Sequence, residues 1–308
     1  MCCGPRERVA LLRERIANDT GVVYARAQTG GAPAGGQVNS SARDIAGSFV
    51  AARQQAQALA SFPGEPPANL TASYRVQDEA IALWPDEVAG WKIGRVPPHQ
   101  VAALGADRLA GPIFKHLVWR AQPDEGVDFP VYENGFAAVE AEYVFRIGAD
   151  APADKTKWTR EEAAMLIAAM HVGVETAGSP LATINDLGAA VVVADFGNNH
   201  GLILGNEVPN WRAKLEKGLT AETFIEGASV GKGGASAAPD GPLDALVFLL
   251  EHLAKRGKPL KAGQLVSTGA VTGVHDIRAG QRSRISFNGS GDILCSAVKA
   301  APNGKGHT

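Results

Sequence analysis

Ala137-Ala138-Val139-Glu140-Ala141-Glu142-Tyr143-Val144-Phe145-Arg146-Ile147 is the stretch on which the fold turns. Its odd positions are uniformly apolar, and Glu140, Glu142 and Arg146 share the other face. That alternation is the period of a β-strand with one face in a core. On a strand, residues i and i+2 lie about 7 Å apart on the same side. Two carboxylates so placed repel each other unless water or a cation separates them. From these residues alone the pair is either a solvated strand face or half of a cation site.

Two neighbouring segments bear on that choice. Val172-Gly173-Val174-Glu175-Thr176 reads as a second strand, with Glu175 charged among apolar residues and in need of a partner. Three converging carboxylates suit a hard, oxygen-seeking divalent ion such as Mg²⁺, which would keep positions open for water and substrate. Gly90-Trp91-Lys92-Ile93-Gly94 reads as a strand whose glycines let backbone approach a ligand. Lys92 either faces a cavity or an anion there, or snorkels from a strand edge.

Working outward, Ile45, Phe49, Ala52, Ala56 and Leu59 predict a helix up to Phe62, ended by Pro63-Gly64-Glu65-Pro66-Pro67. A second helix is expected over about 71–83. Thr159-x-x-Glu162 is a capping box that opens a helix carrying Ala163, Leu166, Ile167 and Met170. Pro242 opens another, with Leu246, Leu249, Leu250 and Leu253 as its stripe, closed by Gly257 and Pro259. Gln264–Ser267, Arg284–Phe287 and Asp292–Val298 are expected as short strands. The strands lack βαβ alternation, so the expected class is α+β (mixed), with an extensive, largely antiparallel sheet.

The chain has 308 residues, with 30 Lys+Arg against 32 Asp+Glu. This balance gives no support for nucleic-acid binding or a polybasic membrane patch. No apolar run approaches the length of a membrane span, and the first residues carry no secretory h-region, so a cytoplasmic protein is expected. Cys2, Cys3 and Cys295 offer no disulfide framework. Residues 1–41, with the run Gly30-Gly31-Ala32-Pro33-Ala34-Gly35-Gly36, are expected to be a flexible extension. Residues 42–302 are then a single catalytic domain with an N-terminal helical part and a β-rich core, and 303–308 a tail.

Gly-Trp-Lys-Ile-Gly, then Val-Glu-Ala-Glu at 139–142, then Glu-Thr-Ala-Gly-Ser at 175–179 resembles the fumarylacetoacetate hydrolase superfamily. The branch is that of 2-keto-4-pentenoate hydratases and oxalocrotonate decarboxylases. Val193-Ala194-Asp195 leading to Leu204-Gly205, the stretch Ser229–Gly233 running to the Pro242 helix, and Ser267-Thr268-Gly269-Ala270-Val271-Thr272-Gly273 are similar too. The likeness runs from about 42 to 300.

It implies a β-roll like the C-terminal domain of that superfamily, with flanking helices and a homo-oligomeric state. It also implies an Mg²⁺ (or Mn²⁺) ion on Glu140, Glu142 and Glu175, with Lys92 as the active-site lysine. Thr268 and Gly269 would hold the carboxylate of a small 2-oxo acid substrate. The implied activity is that of an Mg-dependent hydro-lyase of aromatic catabolism. A 2-oxo-acid decarboxylase, an acylpyruvate-type C–C hydrolase, or a non-catalytic 2-oxo-acid-binding relative are the alternatives.

Two departures bear on the reaction. Leu109 stands where the hydratases carry an acid assigned to proton transfer, and Ser179-Pro180-Leu181 lacks their arginine. Lys115 and His116 are candidates to replace the lost acid. Gly231-Lys232-Gly233-Gly234 lacks the ending of a phosphate loop. His171 is expected to be structural, and Cys295 a small buried hydrophobe.

Overall fold

The computed structural model describes residues 41–238 and 240–302; the extension expected over 1–41 lies, but for Ser41, outside these, as does the 303–308 tail. Helix α1 (Ala42–Gln54) starts at a Ser41/Asp44 capping box, and α2 (Leu70–Leu83) at an Asn69 cap. The first helix ends eight residues short of Phe62, because Ala56 turns left-handed (φ 51°) and stops the ladder. The apolar residues beyond it continue the helical period by coincidence.

Strand β1 (Val88–Arg95), helix α3 (Pro98–Leu104) and strand β2 (Arg108–Phe114) follow, then β3 (Val118–Arg120) and β4 (Gly126–Val131). The stretch quoted first forms β5 (Phe136–Ile147). Helix α4 (Arg160–Met165) has the Thr159/Glu162 capping box but lasts only six residues. Ile167 and Met170, expected on that helix, belong instead to β6 (Ile167–Ser179). Pairing decides the matter: β5 runs antiparallel to β6 from Phe136↔Ser179 to Ile147↔Ile167, and tertiary hydrogen bonds override the local helical period.

Helix α5 (Ala189–Ala194), strand β7 (Asn199–Glu207), helix α6 (Trp211–Lys217), strands β8 (Leu219–Ile225) and β9 (Ala228–Ala235), and helix α7 (Pro242–Lys255) come next. Strands β10 (Leu265–Ser267), β11 (His275–Asp276), β12 (Arg282–Phe287) and β13 (Gly291–Lys299) complete the described chain. The Gly231–Gly234 run lies in β9, where Lys232 pairs with Glu222 across the hairpin.

The larger sheet has eight strands, in the order β2-β1-β10-β5-β6-β7-β3 with β11 also on β5; the smaller has the order β4-β13-β12-β8-β9. Most pairings are antiparallel, with β1/β10, β3/β7 and β4/β13 parallel. The class is α+β, as the sequence predicts. Val139, Tyr143 and Phe145, from the apolar face of β5, meet Ile285, Phe287 and Ile293 of the smaller sheet and Leu246, Leu249 and Leu253 of α7. Each fully buried side chain of this kind contributes about 1.5–3 kcal/mol. A second core joins α1, α2 and α5 to Leu109 and Phe114 of β2. The other face of β5 carries Glu140 and Glu142, and beyond them Val144 joins a third, small cluster with Ile113, Leu202, Leu204 and Leu265. Among the described residues no helix is long and apolar enough to cross a membrane.

Candidate metal centre

The β5/β6 register places Glu140 directly opposite Glu175. Like charges facing each other across a ladder destabilise it, and here water does not relieve them. Glu142 and Glu175 are fully buried, and Glu140 is only 6% exposed. One carboxylate oxygen from each of the three lies within 4.8 Å of the other two. Oxygens sharing an ion at about 2.0–2.6 Å stand no more than about 4–5 Å apart, so the separation fits one divalent cation.

The hydrogen bonding is incomplete in a telling way. Glu142 Oε2 accepts from Ser267 Oγ (2.5 Å) and from the Gly269 amide (2.9 Å), and Glu175 Oε1 accepts from Asn199 Nδ2 (3.1 Å). Glu142 Oε1 and Glu175 Oε2 have no hydrogen-bond partner at all. A buried oxygen without a partner costs free energy that a bound ion would recover. The donor set is oxygen only, which favours Mg²⁺, Mn²⁺ or Ca²⁺ over metals that prefer nitrogen or sulfur.

Lys92 is brought to the same point by β1, through Lys92↔Ser267 and then Ser267↔Val144 in the strand pairing. Its Nζ lies 3.3 Å from Glu175 Oε1 and donates to Asn198 Oδ1 at 3.2 Å. Burial would push the ammonium down, but the charges of Glu175, Glu140 and Glu142 outweigh it and hold its pKa above the usual lysine value. Burial, then the charge of Glu175, pushes Glu140 up to about 8 against the pull of Lys92. Burial, Glu175 and Glu140 likewise hold Glu142 well above the usual carboxylate range, despite the Ser267 and Gly269 hydrogen bonds. One ammonium does not neutralise three carboxylates, and a divalent ion would supply the missing positive charge.

Lys92, Glu140, Thr268 and Gly269 line one cavity of about 770 Å³. Thr268 Oγ1 donates to the Tyr143 carbonyl at 2.7 Å, which clamps the 268–269 turn to β5. Leu109, where an acid was missed, also lines this cavity. Lys115 and His116 do not replace the acid: both are exposed and pair with Glu87 and Asp86, outside the cavity. His171 lies on β6, and its Nδ1 contacts the Gly205 carbonyl at 3.2 Å. Cys295 is buried with its thiol pushed up to about 12, chiefly by burial.

The sequence reading passed over the turn that organises the site. Phe196, Gly197 and Asn198 are consecutively left-handed, at φ 56°, 65° and 54°. Each non-glycine residue in that conformation costs about 1–2 kcal/mol. A buried bidentate pair on the residue before them holds the turn: Arg53 of α1 donates to Asp195 at 2.7 and 2.9 Å, and Ser179 Oγ donates to the same carboxylate. The Arg53 guanidinium also lies 5.0 Å over the Phe196 ring. The reward is that adjacent side chains, Asn198 and Asn199, reach Lys92 and Glu175 respectively. The run Asp195-Phe196-Gly197-Asn198-Asn199, with its glycine and paired asparagines, is the signal the sequence offers.

A mixed sheet carrying a buried carboxylate trio, with Glu140 on the wall of a cavity, is an arrangement that could hold a divalent ion, and it can be compared with known proteins. No family model matches the chain. The 2-keto-4-pentenoate hydratase of Paraburkholderia xenovorans (strain LB400) is 28% identical over 167 residues, which are 54% of this chain and 61% of that protein. This aligned stretch is therefore less than two thirds of the relative's length. The 2-keto-4-pentenoate hydratase 1 of Dechloromonas aromatica (strain RCB) is 26% identical over 243 residues, or 73% and 85% of the two chains.

Among solved structures, 4-oxalocrotonate decarboxylase from Pseudomonas putida G7, complexed with magnesium and adipate, is similar at a TM-score of 0.68 and 18% identity, covering 83% of this chain and 97% of that one. Fumarylpyruvate hydrolase from Pseudomonas aeruginosa, in complex with Mn²⁺ and pyruvate, is similar at 0.50 and 16%, covering 68% and 89%. The fold is the one these enzymes share. The resemblance to the fumarylacetoacetate hydrolase superfamily, on its hydratase and decarboxylase branch, is supported by sequence and structure alike.

Proposed function

We propose that the protein is a divalent-cation-dependent lyase of a short 2-oxo acid, taken as its 2-hydroxydienoic form, of the 2-keto-4-pentenoate hydratase type. The observation that carries this reading is the buried Glu140/Glu142/Glu175 trio, with two partnerless oxygens, beside Lys92, which lines a cavity together with Glu140. The hydratase names of the sequence relatives and the ions named with the structural neighbours support it.

The ion, when bound, supplies charge neutralisation for an enolate or enediolate oxygen. Glu140, Glu142 and Glu175 would hold it. Lys92, whose Nζ lies 3.3 Å from Glu175, is placed to stabilise negative charge developing on the substrate's 2-oxygen. Asn198 fixes the Lys92 head group from the far side. The substrate carboxylate lies against the Thr268–Gly269 turn, where the Thr268 hydroxyl swings from the Tyr143 carbonyl to donate to it. Buried strand faces around Lys92 exclude bulk water and strengthen each of these interactions.

Leu109 favours a second reading. A leucine on the cavity wall transfers no proton, and a decarboxylation or C–C cleavage needs charge stabilisation more than an acid at that point. Incubation with Mg²⁺ and 2-hydroxypentadienoate, oxaloacetate or an acylpyruvate, followed by absorbance and CO₂, separates the two. The hydratase reading predicts loss of dienoate absorbance without CO₂. Release of CO₂ from oxaloacetate, or cleavage of the acylpyruvate with the dienoate untouched, overturns it in favour of the second.

A further inference from the structure

The hydrogen bonds that begin at Lys92 run on past Asn198, and their direction is fixed by chemistry. The Lys92 head group, paired with Glu175, presents donors only, so the Asn198 atom 3.2 Å from Nζ is the side-chain oxygen. That turns Asn198 Nδ2 the other way, where it donates to Asn185 Oδ1 at 3.2 Å. With its oxygen committed to Asn198, Asn185 keeps the two donors of its Nδ2. Among the described residues these meet no acceptor, and Asn185 lines the same cavity as Lys92 and Glu140.

The backbone holds Asn185 in place. It lies in the turn between β6 and α5, where Leu181 and Ile184 are buried in the second core. Its own carbonyl accepts from the Gly188 amide at 3.2 Å. Helix α5 adds only Ala189 and Val192 to the cavity wall, both apolar. Asn185 is exposed, so water serves its donors until a substrate tail takes that space. A tail carrying an acceptor oxygen restores the bond, and a hydrocarbon tail leaves the donor unpaired.

We propose that Asn185 is a specificity-determining residue, whose amide donates to an oxygen that the ligand carries beyond its 2-oxo acid end. This rests on the reading that the 2-oxo acid end lies at Lys92 and the glutamate trio. The Lys92–Asn198–Asn185 chain sets the spacing, since it puts the Asn185 donor one amide group further from Lys92 than Asn198. In the proposed hydration, water adds across the double bond between the third and fourth carbons of the keto tautomer. The proton goes to the third carbon and the hydroxyl to the fourth. That hydroxyl is the oxygen Asn185 would receive.

The test is calorimetric titration of the Mg²⁺-loaded full chain with 4-hydroxy-2-oxopentanoate and with 2-oxopentanoate, which differ only in that hydroxyl. The wild type is expected to bind the hydroxy acid about fivefold tighter or more, and Asn185→Ala to bring the ratio of the two affinities close to one. Asn185→Leu, similar in size and without a donor, is expected to give the same ratio, so the outcome does not hang on one variant folding. A purely structural role would weaken both acids together and leave the ratio as in the wild type. Equal or reversed binding by the wild type, or a preference that survives both substitutions, overturns the Asn185 proposal and leaves the trio reading standing. If neither acid binds in Mg²⁺, both fall.

Discussion

At the level of single residues, the site depends on side chains that are legible to very different degrees. Glu140 and Glu142 could be picked out as two carboxylates on one face of a strand, and Glu175 as a charge among apolar residues, and the structure brings those three together. Asn198 broke no pattern, since an asparagine in a loop is ordinary. Its importance lies in a left-handed backbone that sequence does not display and in a contact with Lys92, 106 positions away. Asn198→Gly keeps the backbone conformation at little cost and removes only the amide. We expect fold stability and Mg²⁺ affinity to change little, and kcat on the 2-oxo acid substrate to fall about tenfold or more with KM nearly constant, because Lys92 loses the group that orients it. Steady-state kinetics alongside denaturant unfolding checks this; an unchanged kcat removes Asn198 from the site's working parts.

At the level of elements, two sequence expectations failed, each for its own physical reason. The apolar run after Met165 and the residues after Gln54 both fit a helical period. A long-range strand pairing decided the first, and a left-handed residue the second. Close approach between elements was equally hidden. A Cβ at Gly111 of β2 would stand 2.0 Å from the Phe196 carbonyl oxygen, so the strand carries glycine where the left-handed turn rests on it. The same Gly111 is the register partner of Lys92. Gly111→Ala therefore pushes the turn away from the lysine it serves, and should destabilise by about 2–3 kcal/mol. Gly47, on α1, has nothing within 4 Å of its would-be Cβ. Gly47→Ala should be neutral or stabilising by up to about 1 kcal/mol. Chemical denaturation of the two variants is the check, and a Gly111→Ala protein as stable as Gly47→Ala contradicts the proposed seating of the turn.

At the level of the whole molecule, the near balance of 30 basic and 32 acidic residues conceals a polarised cavity. Lys92 and Glu140 stand on its wall with Glu142 and Glu175 buried beside them, and Arg95, Arg108 and Asp240 line it elsewhere. Alternation on β5 announced Glu140 and Glu142. That Arg95 and Arg108 face each other follows from the β1/β2 register, which a reading of periodicity leaves undetermined because facing positions depend on which strands pair. The Arg53–Asp195 pair was likewise invisible, joining the first described helix to a turn 142 positions later. It is buried at both ends, and such a pair is better understood as fixing geometry than as adding stability.

The proposed activity requires that the glutamate trio hold one divalent ion. Titration of the full chain with Mn²⁺, read by electron paramagnetic resonance of the free ion, measures this directly in wild type and in Glu142→Gln. The prediction is one Mn²⁺ per chain, displaceable by Mg²⁺, with affinity reduced by about a hundredfold or more in the variant. A wild type that binds no Mn²⁺, or a Glu142→Gln protein that binds it equally well, would contradict it.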